Sequence, residues 1–112
     1  MKKIIVYCET TKENTLKNVS YELLSKAREL KLSAKFIAEN SKNINDSKYY
    51  IEAVTIGETL DKNSILKAIS SGADRVVLLK NKIFNEFVQT TFADCFVKYF
   101  DTNPSDVIIF PA

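Results

Sequence analysis

The stretch "ILKAISSGADRVVLLKN", residues 65 to 81, decides the fold. Ile65, Leu66 and Ile69 in its first half form one side of a helix, read here as the buried side. Asp61 or Asn63 stands where that helix needs a cap. The second half, "RVVLL" from Arg75 to Leu79, is an apolar run of the kind found in strands covered on both faces. Gly72, one of only two glycines in the chain, lies between them. A helix end favours a residue at positive φ, and glycine adopts that without a steric penalty. Gly72 therefore closes a helix and aims a strand.

The same alternation extends in both directions. "KIIVYC", Lys3 to Cys8, is another buried-type strand, followed by the polar turn "ETTKENT". In "NVSYELLSKAREL" the residues Val19, Leu23, Ala27 and Leu30 make a helical stripe, widened by Leu24. Asn18 and Ser20 are candidates for its cap, and Lys26 and Arg28 are read as lying near its end, where cations suit the helix dipole. Ala34 and Ile37 continue the stripe before a polar loop at about 40–48, a length that is functional or poorly ordered. "YIEAVTIG", Tyr50 to Gly57, is the second strand. "FNEFVQTTFADCFVKYF", Phe84 to Phe100, is a third helix whose aromatic face, with Cys95 on it, reads as core. Pro104 ends it, and "DVIIF", Asp106 to Phe110, is a fourth strand. Strands and helices in strict alternation predict a single α/β domain with a parallel sheet and helices on both faces.

Composition excludes several function classes. The chain contains no histidine, which removes His-based triads, His proton shuttles and most zinc sites. Net charge is +2 and the basic residues are dispersed, so no nucleic-acid footprint is expected. No apolar run is long enough for a membrane span or a signal peptide. Cys8 and Cys95 form no CxxC pair, which fits a reducing compartment, and the cytoplasm is the expected location. Two glycines cannot build a GxGxxG or GxxxxGK[ST] phosphate cradle. The turn after the first strand carries Glu9, which would repel a phosphate. Thr10, Thr11 and Lys12 read as a solvated turn. No catalytic or metal-binding set is identified.

Open α/β sheets bind ligands beyond the carboxyl ends of their strands, where strand order reverses. With the first strand central, that crevice would be lined by Cys8, Glu9 and Thr10 and by Phe110 and Pro111. These five are the candidate site residues.

Taken in order, "KIIVYCE", "YELLSKAREL", "VTIG", "ILKAISSGADRVVLLKN" and "FADCFVKYFDTNPSDVIIFPA" resemble the N-terminal domain of the electron transfer flavoprotein α subunit. The matching residues are Glu22 to Leu24 with Ala27, Arg28 and Leu30, then Gly72 to Asp74, then Pro104 with Asp106 to Phe110. The resemblance implies a three-layer α/β/α, Rossmann-like fold of the adenine-nucleotide α-hydrolase group, with strand order 3-2-1-4. It implies an electron carrier rather than an enzyme, an αβ heterodimer that takes electrons from dehydrogenases and passes them on through FAD. FAD sits mainly in the C-terminal domain of the α subunit, and AMP, where present, in the β subunit. The N-terminal domain meets the β subunit and supports the FAD domain. Residues 1–112 end at the fourth strand, before any FAD-binding segment, so they are expected to be a fragment or a free-standing short relative. FAD is not expected to be bound by this chain alone. The alternative is a small adenine-nucleotide-binding module, similar to universal stress proteins, with no redox role.

Overall fold

A computed structural model of the chain describes residues 2–39, 49–80, 99, 101, 105 and 107–111. Within them lie β1 (Lys2–Tyr7), α1 (Asn18–Glu39), β2 (Tyr49–Gly57), α2 (Lys62–Ser71), β3 (Arg75–Lys80) and β4 (Val107–Ile109). The four strands form one parallel sheet in the order β3-β2-β1-β4. The sequence-based order is therefore the observed one. The loop expected at 40–48 and most of the helix expected at Phe84–Phe100, including Cys95, lie outside the described residues. Tyr99 and Asp101 are helical.

The sheet has a core on each face. Ile4, Val6, Cys8, Ile51 and Ala53 pack with Leu16, Leu24, Ala27, Ala68 and Ala73 on the face covered by α1 and α2. Ile5, Val54 and Ile56 pack on the other face with Tyr7, Val77, Leu79 and the helical Tyr99. Alternate residues of β1 and β2 thus feed opposite cores, which is why both strands read as unbroken apolar runs. Helical residues on both faces make this a three-layer, Rossmann-like α/β arrangement.

Gly72 occupies the end of α2 with φ 139°. Its N–H donates to the Ile69 carbonyl (3.2 Å), and the Ala73 N–H reaches back to the Ala68 carbonyl (3.0 Å). One residue later the Asp74 N–H donates to the Ile51 carbonyl at 2.8 Å, beside β2. The Asp74 carboxylate accepts the Ile51 N–H at 2.8 Å and pairs with Lys31 of α1 at 3.0 Å. Gly-Ala-Asp thus ends one element, fills a buried position with Ala73, and ties the next strand to both β2 and α1.

Five local expectations are corrected. The buried residues of α2 are Ser64 and Ala68, whereas Leu66 and Ile69 are exposed. The reason is distance. Ser64, Ala68 and Gly72 form a stripe of small residues at four-residue spacing, and a Cβ on Gly72 would lie 2.9 Å from the Leu24 carbonyl oxygen of α1. Helices this close leave no room for branched side chains between them. In α1 the buried positions are Ser20, Leu24 and Ala27, and Leu30 is exposed. Ser20, buried within the first turn, is no cap. Because α1 runs to Glu39, Lys26 and Arg28 lie in its middle rather than near its end. Asp61 has the backbone geometry of a cap for α2, yet its side chain makes no capping hydrogen bond.

Candidate functional site

β1 and β4 are neighbours in the sheet, with Val6 opposite Ile109. Strand order reverses between them, because β2 and β3 lie on one side of β1 and β4 on the other. The structure accordingly brings Cys8, Glu9 and Thr10 to the carboxyl end of one strand and Phe110 and Pro111 to that of its neighbour. Phe110 is exposed, and its ring lies 6.1 Å from that of Tyr7 at a 47° tilt.

Cys8, Glu9 and Thr10 already have work within the fold. Cys8 is fully buried; its N–H donates to the Val54 carbonyl (2.9 Å) and its thiol to the Val6 carbonyl (3.6 Å). Burial pushes the thiol up to about 11, offset only in part by the adjoining Ser20 hydroxyl, which itself meets hydrogen-bond geometry with no described group. A thiol so held stays protonated at neutral pH and is a poor nucleophile. Glu9 pairs with Lys17 at 2.8 Å. The Thr10 hydroxyl donates to the Ile56 carbonyl (3.3 Å), leaning the turn over the end of β2 beside Gly57.

The turn from β1 to α1 is closed on itself. Thr10 and Leu16 bridge antiparallel across it. The Thr11 N–H donates to the Thr15 carbonyl, the Asn14 N–H to the Thr11 carbonyl, and the Lys17 N–H to the Glu9 carbonyl, at 2.8–3.2 Å. Thr11 Oγ1 accepts the N–H groups of Glu13 and Thr15 and lies 2.7 Å from Thr15 Oγ1. Asn14 takes positive φ (62°), and its carbonyl accepts the Asp61 N–H (2.7 Å), while Ser64 Oγ accepts the Leu16 N–H (3.4 Å). The turn is thereby sealed onto the start of α2. The N–H groups of Thr11 and of Glu13 to Lys17 thus have partners within the fold, and the carboxylate of Glu9 stands beside them, where it would repel a phosphate.

A hollow of about 380 Å³ lined by Thr59, Leu60, Ile65, Val76 and Leu78 lies between α2 and β3. It shares no residue with the crevice and has an apolar lining. Among the described residues no group of three or more Cys, Asp or Glu side chains is placed to hold a metal ion. No helix among them is long and apolar enough to cross a membrane.

Sequence reasoning passed over one polar cluster. Glu52, mid-strand in β2, is fully buried and meets Lys3, Arg75 and Tyr99, away from the carboxyl-end residues Cys8 to Thr10. Its signal was a lone charge inside a run that otherwise reads as buried on both faces.

Compared with known families, the sequence matches the Electron transfer flavoprotein domain over residues 4–112. The chain belongs to the electron transfer flavoprotein domain family. Comparison with curated proteins finds no match. Membership places the chain in a family of electron carriers.

Proposed function

We propose that this domain is of the α-subunit type and acts as a scaffold and docking part of an electron transfer flavoprotein. The "ELL..AR.L" pattern of Glu22 to Leu24, Ala27, Arg28 and Leu30 supports the α assignment by resemblance, and the buried Leu24 and Ala27 make it part of the core. The observation that carries the docking role is the closed β1–α1 turn. The N–H groups of Thr11 and of Glu13 to Lys17 are bonded within the fold, and the Glu9 carboxylate stands beside them, which argues against a flavin or adenine phosphate on this turn. FAD would be held by the C-terminal domain of an α subunit, and electrons would arrive from dehydrogenases. The β subunit and that FAD domain are its expected partners. This domain would supply rigid surface for them and no catalytic group. The cytoplasm is its expected location.

The test has two arms. Thermal unfolding is measured with AMP, ATP and FAD, and association with an electron transfer flavoprotein β subunit is measured by analytical ultracentrifugation. Unchanged midpoints with the nucleotides, and a complex at micromolar concentration, are expected. A ligand at a hundredfold its Kd stabilises by about 2.7 kcal/mol, a shift such scans resolve. Clear stabilisation by ATP without β-subunit association would instead establish the nucleotide-binding module.

A further inference from the structure

Glu52 stands in a place that an apolar residue would fill at lower cost. It lies mid-strand in β2, opposite Ile5 of β1 and Arg75 of β3. The Tyr99 hydroxyl donates to Glu52 Oε1. Lys3 Nζ lies 3.5 Å from the same oxygen, and Arg75 Nε lies 3.8 Å from Oε2. Lys3 is itself buried, with its ammonium 5.7 Å from the Tyr99 ring centre and 6.0 Å from that of Tyr50. Oε2 makes no hydrogen bond among the described residues. Burial and the bond to Glu52 both raise the Tyr99 phenol above its ordinary range, so it remains a donor.

A carboxylate out of water is tolerated where donors meet it and is strongly unfavourable elsewhere. The groups around Glu52 come from β1, β3 and a helical residue nearly fifty positions further along the chain. A slip of β2 by one residue would turn Glu52 to the α1–α2 face, among Ile4, Val6 and Leu24. Those apolar side chains offer it no donor, and the unpaired Ser20 hydroxyl of that face is a single neutral group against Lys3, Arg75 and the Tyr99 phenol. Apolar side chains alone would resist the same slip only weakly, because both faces of β2 are hydrophobic.

We propose that Glu52 is a register lock: its carboxylate meets Lys3, Arg75 and the Tyr99 hydroxyl together only when β1, β2 and β3 are in native register and Tyr99 is seated on the sheet. Buried polar groups that secure one arrangement at the expense of stability are known in other folds.

The test uses the 112-residue chain and amide hydrogen exchange by NMR. Lys3→Met with Glu52→Leu replaces the charged pair by apolar side chains of similar size. The lock predicts a folded double variant whose β1 and β2 resonances are doubled or broadened. Tyr99→Phe keeps the ring and removes one donor, and should lower exchange protection at Tyr99 and Asp101 about tenfold or more. A double variant with one sharp set of resonances and the native strand contacts overturns the lock. Unchanged protection in Tyr99→Phe overturns it too, whatever the double variant does.

Discussion

A methyl group placed on Gly72 would lie 2.9 Å from the carbonyl oxygen of Leu24, and 3.1 Å from the Arg28 Cβ. Two independent constraints therefore meet at one residue. The backbone at φ 139° suits glycine, and the neighbouring helix leaves no room for a side chain. Gly72→Ala should destabilise the domain by about 2–4 kcal/mol, combining backbone strain with overpacking. Urea unfolding would show this as a lower midpoint with an unchanged slope. A loss below about 1 kcal/mol would mean that α1 and α2 separate easily.

Asp74 joins three elements through one carboxylate. Its bond to the Ile51 N–H is part-buried, whereas its pair with Lys31 is exposed. Asp74→Ala should cost about 1–3 kcal/mol, because the N–H at the start of the β2–β3 pairing loses its acceptor. Lys31→Ala should cost under about 1 kcal/mol, the usual range for a solvent-exposed pair. Equal effects of the two variants in chemical denaturation would show that the ion pair, not the backbone contact, is what matters.

The two sides of α2 should respond in opposite ways. Leu66→Lys changes an exposed position and should alter stability by no more than about 0.5 kcal/mol. Ala68→Leu forces a large side chain into the seam with α1 and should cost about 1–3 kcal/mol. Thermal melts of both variants distinguish this arrangement from the one expected from the apolar pattern, in which Leu66 would face inward.

Cys8 contributes a pH dependence at the alkaline end. Burial raises its folded pKa to about 11, from an unfolded value near 9. The folded state then binds the proton more tightly. Stability from this group is complete below about pH 9 and is lost as pH rises from about 9 to 11, by up to about 2–3 kcal/mol. Subtracting the pH profile of Cys8→Ala isolates it from Tyr99, whose phenol acts in the same direction. In the native state the thiol should resist alkylation at pH 8 and react once the domain unfolds. Rapid labelling of native Cys8 would contradict its burial.

Much of the fold was legible because it depends on local chemistry. "KIIVYC" and "RVVLL" could be read as doubly covered strands from apolar continuity alone, and Gly72 as a helix stop from its missing side chain. The candidate crevice residues Cys8 to Thr10 and Phe110 to Pro111 follow the ends of β1 and β4, positions that depend on strand order. Their occupation was not legible. Nothing in "ETTKENT" announces that Thr11 accepts two N–H groups of its own turn, or that Asn14 and Leu16 are tied to Asp61 and Ser64.

From its amino acids alone, the chain was determined to be an alternating α/β unit with a parallel sheet, because periodicity and helix stops act over short stretches, and the strand order 3-2-1-4 was what its family resemblance implied. Tertiary structure alone decided which side of α2 faces inward, how the first turn seals itself, and where Glu52 finds Lys3 and Tyr99. Those outcomes depend on the distance between helix axes and on donors far apart in the chain, quantities that no short stretch of sequence contains.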